Sequence, residues 1–470
     1  MKHDYAIIIG ASIAGLLAAR VASDHFASVI IIERDTLPDD DAQRAGTPQS
    51  RHVHGLLVRG LEIMRAMFPT LDDDLDGADV PRMEWMSGTI QHIPSGWAPR
   101  YASGLETRPV SRAALEAIIR RRVKAIPNVT FMTGVQVADL ITNAEKTQVI
   151  GVHTVPRRAT GHASASKSGS VLGEGANNFS LYADLIIDCT GRASKMPDWL
   201  GALGYETPRE EIINAHLGYA TRTYQMDASF QPDWHALLML PSVESPRGGV
   251  LTEIERGKWM MTLAGVGDLP PTDEAGLSAF VDAIAAPPLR EALHHATPLT
   301  PIYGYRRTEN RRLRYDKLKR MPRGLIVMGD AVAAFNPVYG QGMTAAALGA
   351  QVLDLHLRAQ ESNGFELAFQ RQLARTIAPM WLMAVTEDAR YPTTDGVRWR
   401  GVYKLLNRYN DWLIARLPHS LTISQSFLRV LHVIDPPTAV MRPRVLWARL
   451  FAHRAAEQIP GSAAVESARS

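Results

Sequence analysis

The 470-residue sequence contains one cysteine, Cys189. A single thiol excludes an internal disulfide and any zinc site built from cysteines, and it favours a reducing, cytoplasmic compartment. No uninterrupted apolar run reaches the ~18 residues of a membrane span, so no transmembrane helix is expected. The net charge is only +3, which does not by itself indicate a nucleic-acid partner. The length favours two or three domains.

The remaining features are organised around an amino-terminal strand–turn–helix–strand unit. An apolar run at 5–9 leads into a turn from Gly10 to Gly15, then an Ala/Leu-rich helical stretch and a second apolar run that ends at Glu33. Gly10 allows a tight turn, Gly15 lets the helix pack closely on the strand, and position 12 must be small if the backbone is to approach a pyrophosphate. A carboxylate at the end of the second strand favours an adenosine ribose. The pattern therefore predicts dinucleotide binding.

Two more buried strands are predicted to end in polar turns. Leu185-Ile186-Ile187 leads into Asp188-Cys189-Thr190-Gly191, and residues 325–328 lead into Gly329-Asp330. The stretch 336–343 follows and opens a long Ala-rich helix. Ligands in open α/β sheets bind beyond the carboxyl ends of the strands, so all three turns are expected to face one ligand. Asp330 can accept hydrogen bonds from ribityl hydroxyls, and the Gly340–Gly342 turn can offer N–H groups to an electron-rich ring.

At these residues the sequence resembles the glutathione-reductase-type FAD-dependent monooxygenases, the group containing p-hydroxybenzoate hydroxylase and squalene epoxidase. It looks closest to bacterial polyether epoxidases such as monensin epoxidase. The resemblance rests on four stretches: Gly46–His54, Ile187–Arg192, Gly218–Arg222 and Gly329–Met343. It implies FAD, with the isoalloxazine against the backbone of Gly342 and Met343. The predicted cofactor-binding residues are Gly10, Ser12, Ala14, Gly15, Glu33, Arg34, Arg51, Arg112, Val135, Asp330, Gly340, Gly342 and Met343.

The sequence departs from that pattern at two positions. Ser12 replaces a glycine, and Cys189-Thr190-Gly191 stands where many hydroxylases have Cys-Asp-Gly. In those hydroxylases the aspartate is linked to FAD and NAD(P)H binding. Only one Gly-rich strand–turn–helix unit occurs. Reducing equivalents are therefore expected to come from NAD(P)H, through a separate flavin reductase rather than by direct contact.

The predicted fold class is α/β, with a Rossmann-like FAD-binding domain, a second mixed-sheet substrate domain and a carboxyl-terminal helical region. The predicted FAD-binding domain is discontinuous, and the boundaries of the three regions are as follows: FAD-binding domain at 1–75, 105–200 and 301–360; substrate-binding sheet domain at 76–104 and 201–300; helical region at 361–470. Segments 129–137 and 148–156 are expected to be strands, and 157–180 a Ser/Gly/Ala-rich loop.

The resemblance implies a monooxygenase that uses a flavin C4a-hydroperoxide to transfer one oxygen atom from O2, epoxidising an alkene or hydroxylating a ring of a lipophilic natural-product intermediate. No catalytic side chain is predicted, and Pro337 and Tyr339 are the pocket candidates. A prenyl (geranylgeranyl-type) reductase and a non-catalytic flavin-binding, membrane-docking protein are the alternatives. A halogenase is disfavoured because the sequence lacks a Trp-x-Trp-x-Ile-Pro motif.

Three other features have simpler interpretations. His52 and His54 lack a third ligand at matching spacing, so they are interpreted as structural or flavin-adjacent and no metal site is predicted. The basic stretch 303–320 lacks a recognised nucleic-acid fold and is interpreted as a solvated or internally paired face. The segment 398–454 carries ten Lys/Arg with interleaved aromatics. It is interpreted as a helical cap, with docking on anionic membranes as the sharper hypothesis.

Overall fold

The computed structural model describes residues 3–44, 46–94, 96–157, 178–359 and 364–446. The strands are β1 (His3–Ile9), β2 (Phe26–Glu33), β3 (Met83–Glu84), β4 (Thr89–Ile93), β5 (Gly96–Trp97), β6 (Glu106–Thr107), β7 (Val129–Thr133), β8 (Val135–Thr142), β9 (Val149–Pro156), β10 (Phe179–Tyr182), β11 (Leu185–Asp188), β12 (Glu210–Ile213), β13 (Leu217–Met226), β14 (Ala236–Met239), β15 (Arg247–Glu253), β16 (Lys258–Val266), β17 (Ala296–Pro298), β18 (Tyr303–Tyr305), β19 (Asn310–Leu313), β20 (Leu325–Val327) and β21 (Ala333–Ala334). The α-helices are α1 (Ile13–His25), α2 (Val58–Met67), α3 (Leu71–Gly77), α4 (Arg112–Lys124), α5 (Met196–Ala202), α6 (Glu274–Ile284), α7 (Pro287–His294), α8 (Gln341–Ala359), α9 (Phe365–Asp388), α10 (Arg400–Ile414) and α11 (Leu421–Leu431).

Five strands form a wholly parallel sheet in the order β20–β11–β1–β2–β7. Ile7, Ile8 and Ile31 lie in its centre with no exposed surface. A parallel sheet buried on both faces requires continuous apolar strands, which explains the Ile-rich runs of β1 and β2. Helices α1 and α8 pack together within the same hydrophobic core.

A second, eight-stranded mixed sheet has the order β17–β13–β16–β15–β14–β4–β5, with β18 also paired to β13. One face packs on α6 and α7, through residues such as Leu277, Phe280 and Leu289. The opposite face contributes Tyr219 and Val266 to a separate apolar cluster. Side chains alternate between the faces of a strand, so β13 has one side in the α6–α7 core and the other turned to the site described below.

Smaller sheets complete the structure: β10–β9–β8, β12–β19–β21 and the pair β3–β6. The carboxyl-terminal part, as far as residue 446, consists of α9, α10, α11 and short 3-10 turns. The α/β fold with a parallel sheet, a mixed sheet and carboxyl-terminal helices is therefore confirmed. The domain boundaries given above stay predictions.

Several local predictions needed correction. The segment 129–137 is two strands rather than one, because Gly134 has φ 73° and turns the chain from the parallel sheet into β8. Of the loop expected at 157–180, residues 158–177 lie outside the described part of the chain, and 179–182 form β10. Helices α6 and α7 were not anticipated within the sheet-rich region. Within the described ranges, no helix combines the length and apolarity needed to cross a membrane.

Candidate functional site

Three turns meet at one edge of the parallel sheet. Strands β1, β11 and β20 run in the same direction, so the turns that follow them lie side by side. A Cβ atom placed on Gly10 would lie 2.7 Å from the carbonyl oxygen of Cys189, and one on Gly329 would lie 2.6 Å from the Cβ of Ala14. The three predicted ligand-facing turns are thus in direct contact.

The first turn has the geometry that its glycines predict. Gly10 has φ 102°, a conformation that side chains rarely adopt. A Cβ on Gly15 would lie 1.8 Å from the carbonyl oxygen of Gly10, so α1 can pack this closely only with glycine there. Ser12 is the N-cap residue of α1, and its hydroxyl hydrogen-bonds Arg112 (2.6 Å) and Glu116 (3.1 Å) instead of capping the helix.

A buried charged cluster lies beside this turn. Glu33 accepts hydrogen bonds from the backbone N–H groups of Ala11 (2.8 Å) and Asp35 (2.9 Å). Arg44 pairs with Glu33 at 3.1 Å and with Glu116 at 2.9 Å. Burial alone works to raise the pKa of Glu116, but Arg112 and Arg44 outweigh it, and the pKa is lowered.

Arg44 was missed by the sequence analysis. It is separated from Glu116 by 72 positions and belongs to a loop without a recognisable motif. Only the fold brings its guanidinium to the end of β2.

Two groups at the edge lack partners within the described part of the chain. The half-buried Asp330 carboxylate makes no hydrogen bond or ion pair there. Arg112, on α4, uses Nη2 for Ser12 and Glu116 but leaves a buried Nε without a partner. Burial raises the pKa of Asp330, while Arg192 and Arg112 act in the opposite direction. A buried polar group without a partner is costly, which points to a polar ligand at this edge of the sheet.

The stretch 336–343, which follows the third turn, makes a further turn that opens α8. Gly340 has φ 62°, and a Cβ there would lie 3.1 Å from the carbonyl oxygen of Gly55. A Cβ on Gly342 would meet open space, so the amino end of α8 is approachable at that residue. Met343 is buried behind it. The first N–H groups of a helix attract negative charge, so this end of α8 suits an electron-rich ligand.

The loop that carries His52 and His54 passes between this turn and the mixed sheet. His52 is buried and hydrogen-bonds the hydroxyl of Thr221 at 2.7 Å, and its ring lies 5.2 Å from that of Tyr305. His54 hydrogen-bonds the carbonyl of His52 at 2.8 Å. Burial lowers the pKa of both rings to about 4, so both are neutral at pH 7. Within the described ranges, no three His, Cys, Asp or Glu side chains are grouped so as to hold a metal ion.

The other predicted residues are more dispersed. Val135 is buried at the start of β8. Arg34 is exposed, as is Arg51, which donates to Gln43 and stacks over Tyr303 at 4.5 Å. Arg112 therefore lies at the edge of the parallel sheet where the strands end, whereas the partners of Arg51 are Gln43 and Tyr303.

A search against family models found no match. The chain is 33% identical to protein Rv3254 of Mycobacterium tuberculosis over 401 residues, which cover 83% of this chain and 81% of that one. The chain belongs to the family of protein Rv3254.

Solved structures similar to this Rv3254-family member include a brominase and a monooxygenase. The flavin-dependent brominase Bmp2 has a TM-score of 0.64 at 14% identity, covering 96% of this chain and 99% of its own. The p-nitrophenol 4-monooxygenase PnpA of Pseudomonas putida has a TM-score of 0.63 at 14% identity, covering 92% and 99%. At such identities the likeness shows the fold: it is the fold of FAD-dependent halogenases and monooxygenases.

The Rv3254-family member also contains a polar network that the sequence analysis missed. Tyr339, a predicted pocket residue, directs its hydroxyl to the carboxylate of Asp388 at the end of α9. Asn310 and Asn336 donate to the same carboxylate, at 2.7 and 3.4 Å. Asn336 and Tyr339 belong to the predicted stretch 336–343. Asn310 lies 26 positions before Asn336, and Asp388 lies 49 positions after Tyr339, so no local pattern links these two to it. Pro337 is half-buried at the start of the same turn.

Proposed function

We propose that FAD binds at the edge where β1, β11 and β20 end. The observation that carries this proposal is the presence at this edge of two groups without partners among the described residues, the Asp330 carboxylate and the Arg112 Nε, together with the open amino end of α8. Asp330 would accept hydrogen bonds from ribityl hydroxyls and Arg112 would face the pyrophosphate. Backbone N–H groups at Gly342 and Met343 would face the isoalloxazine.

The adenosine end is assigned to the neighbouring strand ends. Glu33 lies at the end of β2 and pairs with Arg44. In the sheet Glu33 is the neighbour of Thr133 at the end of β7, and β8 begins two residues later at Val135. The Glu33 carboxylate is held in place by the N–H groups of Ala11 and Asp35, which pre-organises it for a ribose hydroxyl. Gly10, Ser12, Ala14 and Gly15 would supply the small backbone surface for the phosphates.

We infer that the protein is an FAD-dependent monooxygenase. Bound FAD would supply the activation of O2 and the transfer of one oxygen atom, and the chain would position substrate and exclude water. The substrate side is the face of β13 that holds Tyr219, with Tyr305 and His52 packed against it. These packed aromatic rings, with both histidines neutral, support a lipophilic natural-product intermediate as substrate. Epoxidation of an alkene is favoured, as the resemblance to polyether epoxidases implies, and ring hydroxylation is second.

Electrons are proposed to come from NAD(P)H through a separate flavin reductase. Thr190 occupies the position where many related hydroxylases have an aspartate. Its hydroxyl and its backbone N–H both bond the Asp188 carboxylate, so it is committed to the local turn. The proposal rests on this substitution and on the single Gly-rich unit in the sequence.

The decisive experiment is anaerobic reduction of the purified protein, followed by labelled O2 and candidate alkenes. One labelled oxygen atom in the product supports the monooxygenase, and without substrate hydrogen peroxide should be released instead. A prenylated substrate that gains two hydrogens and no oxygen under anaerobic conditions would show a reductase. A flavin that neither oxygenates nor reduces any substrate would leave a non-catalytic flavin-binding protein.

Peripheral membrane contact is proposed for α10. Trp399, Val402 and Leu405 are exposed by 70%, 55% and 68% of their surfaces, and Lys404 and Arg408 lie on the neighbouring exposed stripe of the helix. An apolar stripe flanked by cations is the arrangement of helices that lie in anionic membrane surfaces. Such contact would bring the protein to lipophilic substrate. Trp447, Arg449, Phe451 and Arg454, part of the same predicted basic segment, lie outside the described residues.

A further inference from the structure

Among the residues that the structure describes, the buried Asp388 carboxylate has three side-chain donors and no cationic partner. Asp388 is 1% exposed at the last turn of α9. Its Oδ1 accepts from the Tyr339 hydroxyl and from Asn336, and its Oδ2 accepts from Asn310 at 2.7 Å. Buried carboxylates usually have a basic partner, since removing an ion from water is costly. Here three neutral donors take that place.

These donors also fix the turn that precedes α8. The backbone N–H of Asn336 donates to Asn310 Oδ1 at 2.8 Å. Asn336 Oδ1 accepts from the Tyr219 hydroxyl at 2.9 Å and from the Val338 N–H at 3.3 Å. Asp388 is therefore the common acceptor for a network that joins α9, β19, the turn and, through Asn336, β13 of the mixed sheet.

The turn ends at Gly340, in the left-handed region, immediately before the amino end of α8. Any displacement of residues 336–340 moves the first N–H groups of that helix. These are the groups assigned above to the isoalloxazine. Through this turn, Asp388 can thus influence the surroundings of the cofactor without being one of the residues assigned to contact it.

We propose that Asp388 is a positioning residue. Through Tyr339, Asn336 and Asn310 it holds the turn at 336–340 in a fixed position relative to the mixed sheet, beside the flavin. The proposal deepens the FAD assignment and rests on it. Its substrate side is Tyr219, whose hydroxyl connects the turn to β13 of the mixed sheet. A displacement of β13 would reach the turn through the same hydrogen bonds.

The electrostatic surroundings add a pH dependence. The titratable groups that act on Asp388 are Glu387 on its own helix, Tyr339 on the turn, Tyr219 on β13 and Tyr391 after α9. Burial is the main cause that raises the pKa of Asp388, to about 7, and Glu387 adds to it. Asp388 therefore gains a negative charge behind the turn as the pH rises through about 7. That charge would disfavour a reduced, anionic flavin bound at the amino end of α8.

The test compares Asp388→Asn and Tyr339→Phe with the wild type and with Asp354→Asn. Asp354 is a control carboxylate on α8 that pairs with His25 and Arg358, away from the turn. We expect the flavin spectrum and midpoint potential of the wild type to show an inflection near pH 7 beyond that of free FAD. Asp388→Asn should remove this inflection, Tyr339→Phe should shift it, and Asp354→Asn should retain it. Identical profiles for Asp388→Asn and the wild type would overturn the proposal.

A second measurement does not depend on FAD. Amide hydrogen exchange of the peptide 336–343 should be at least tenfold faster in Asp388→Asn than in Asp354→Asn, because asparagine keeps one acceptor oxygen but sets an NH2 group against a donor of the network. Unchanged exchange there would also overturn the proposal. If the protein binds no flavin but the exchange still accelerates, the FAD assignment fails and the role of Asp388 in holding the turn stands.

Discussion

Asp330 is the side chain on which the cofactor assignment depends most. It follows β20, and among described residues its carboxylate has no partner. Charge-assisted hydrogen bonds to hydroxyls contribute about 1.5–3 kcal/mol, so Asp330→Ala should weaken FAD binding about ten- to a hundredfold. Titration of protein freed of cofactor with FAD measures this directly.

Two further variants calibrate that result. Glu33→Ala should weaken FAD binding less, because the Glu33 carboxylate also accepts from Arg44 and from the Ala11 N–H and is not devoted to the cofactor alone. Asp282→Ala, an exposed carboxylate on α6 that pairs with Arg290, should leave the affinity unchanged. An Asp330 variant with the affinity of the wild type would mean that the Gly-Asp assignment is wrong.

At this scale the sequence predicts residues whose roles are set by local geometry. Gly10 and Gly15 are recognisable because a tight turn and a close helix–strand contact each require the absence of a side chain. Arg44 and Asp388 are not recognisable, because their partners lie 72 and 49 positions away. No residue pattern near either one encodes a partner so distant.

At the scale of elements, helix α10 has an exposed apolar stripe that a binding partner would cover. It begins after Trp399 and exposes Val402 and Leu405 to solvent. We expect the protein to bind vesicles of phosphatidylcholine with phosphatidylserine, and to be released by salt, since each cation near the surface contributes about 1 kcal/mol.

The corresponding double variant, Trp399→Ser with Leu405→Ser, should reduce vesicle binding more than tenfold. Leu355→Ser is the matched control, because Leu355 is an exposed leucine on α8. Absence of binding to anionic vesicles at every salt concentration would remove the membrane hypothesis and leave α10 as a helical cap. Loss of self-association in the double variant would instead assign the stripe to a dimer contact.

Elements with strong local patterns were predictable. The apolar runs of β1, β2, β11 and β20 are typical of buried parallel strands, and all four belong to one parallel sheet. The mixed sheet was less predictable, because its order places β4 beside β14, a contact between residues about 150 positions apart. Helices α6 and α7 were missed since their amphipathic pattern is short and adjoins strands.

At the scale of the whole molecule, buried neutral histidines link stability to pH. His432 has no exposed surface, and its ring packs edge-to-face against Trp85. Its Nδ1 accepts a hydrogen bond from the Val58 N–H. Burial lowers its pKa to about 4, below the unfolded value of 6.5. Its folded-state contribution is therefore present above pH 6.5 and is lost as the pH falls towards 4. His52 acts in the same direction.

We expect the free energy of unfolding to decrease by about 2 kcal/mol per buried histidine between pH 7.5 and pH 5. His432→Gln should show a correspondingly smaller decrease, although it is less stable at pH 7.5. Urea unfolding at the two pH values measures both quantities. An equal decrease in the variant and the wild type would show that His432 does not contribute.

The fold limits the class of reaction but does not identify the substrate. Brominases and monooxygenases share this architecture at 14% identity, so the architecture alone does not identify a substrate. The substrate class proposed here depends on the lining beside Tyr219 and on the resemblance in sequence. Those two supports are independent of each other.

The most direct test of the central claim is the identity of the bound cofactor. The purified protein should be yellow, with the two absorption bands of oxidised flavin, and denaturation should release FAD in a near one-to-one amount. Asp330→Ala, purified in parallel, should retain much less. A well-folded protein that binds neither added FAD nor FMN would contradict the claim.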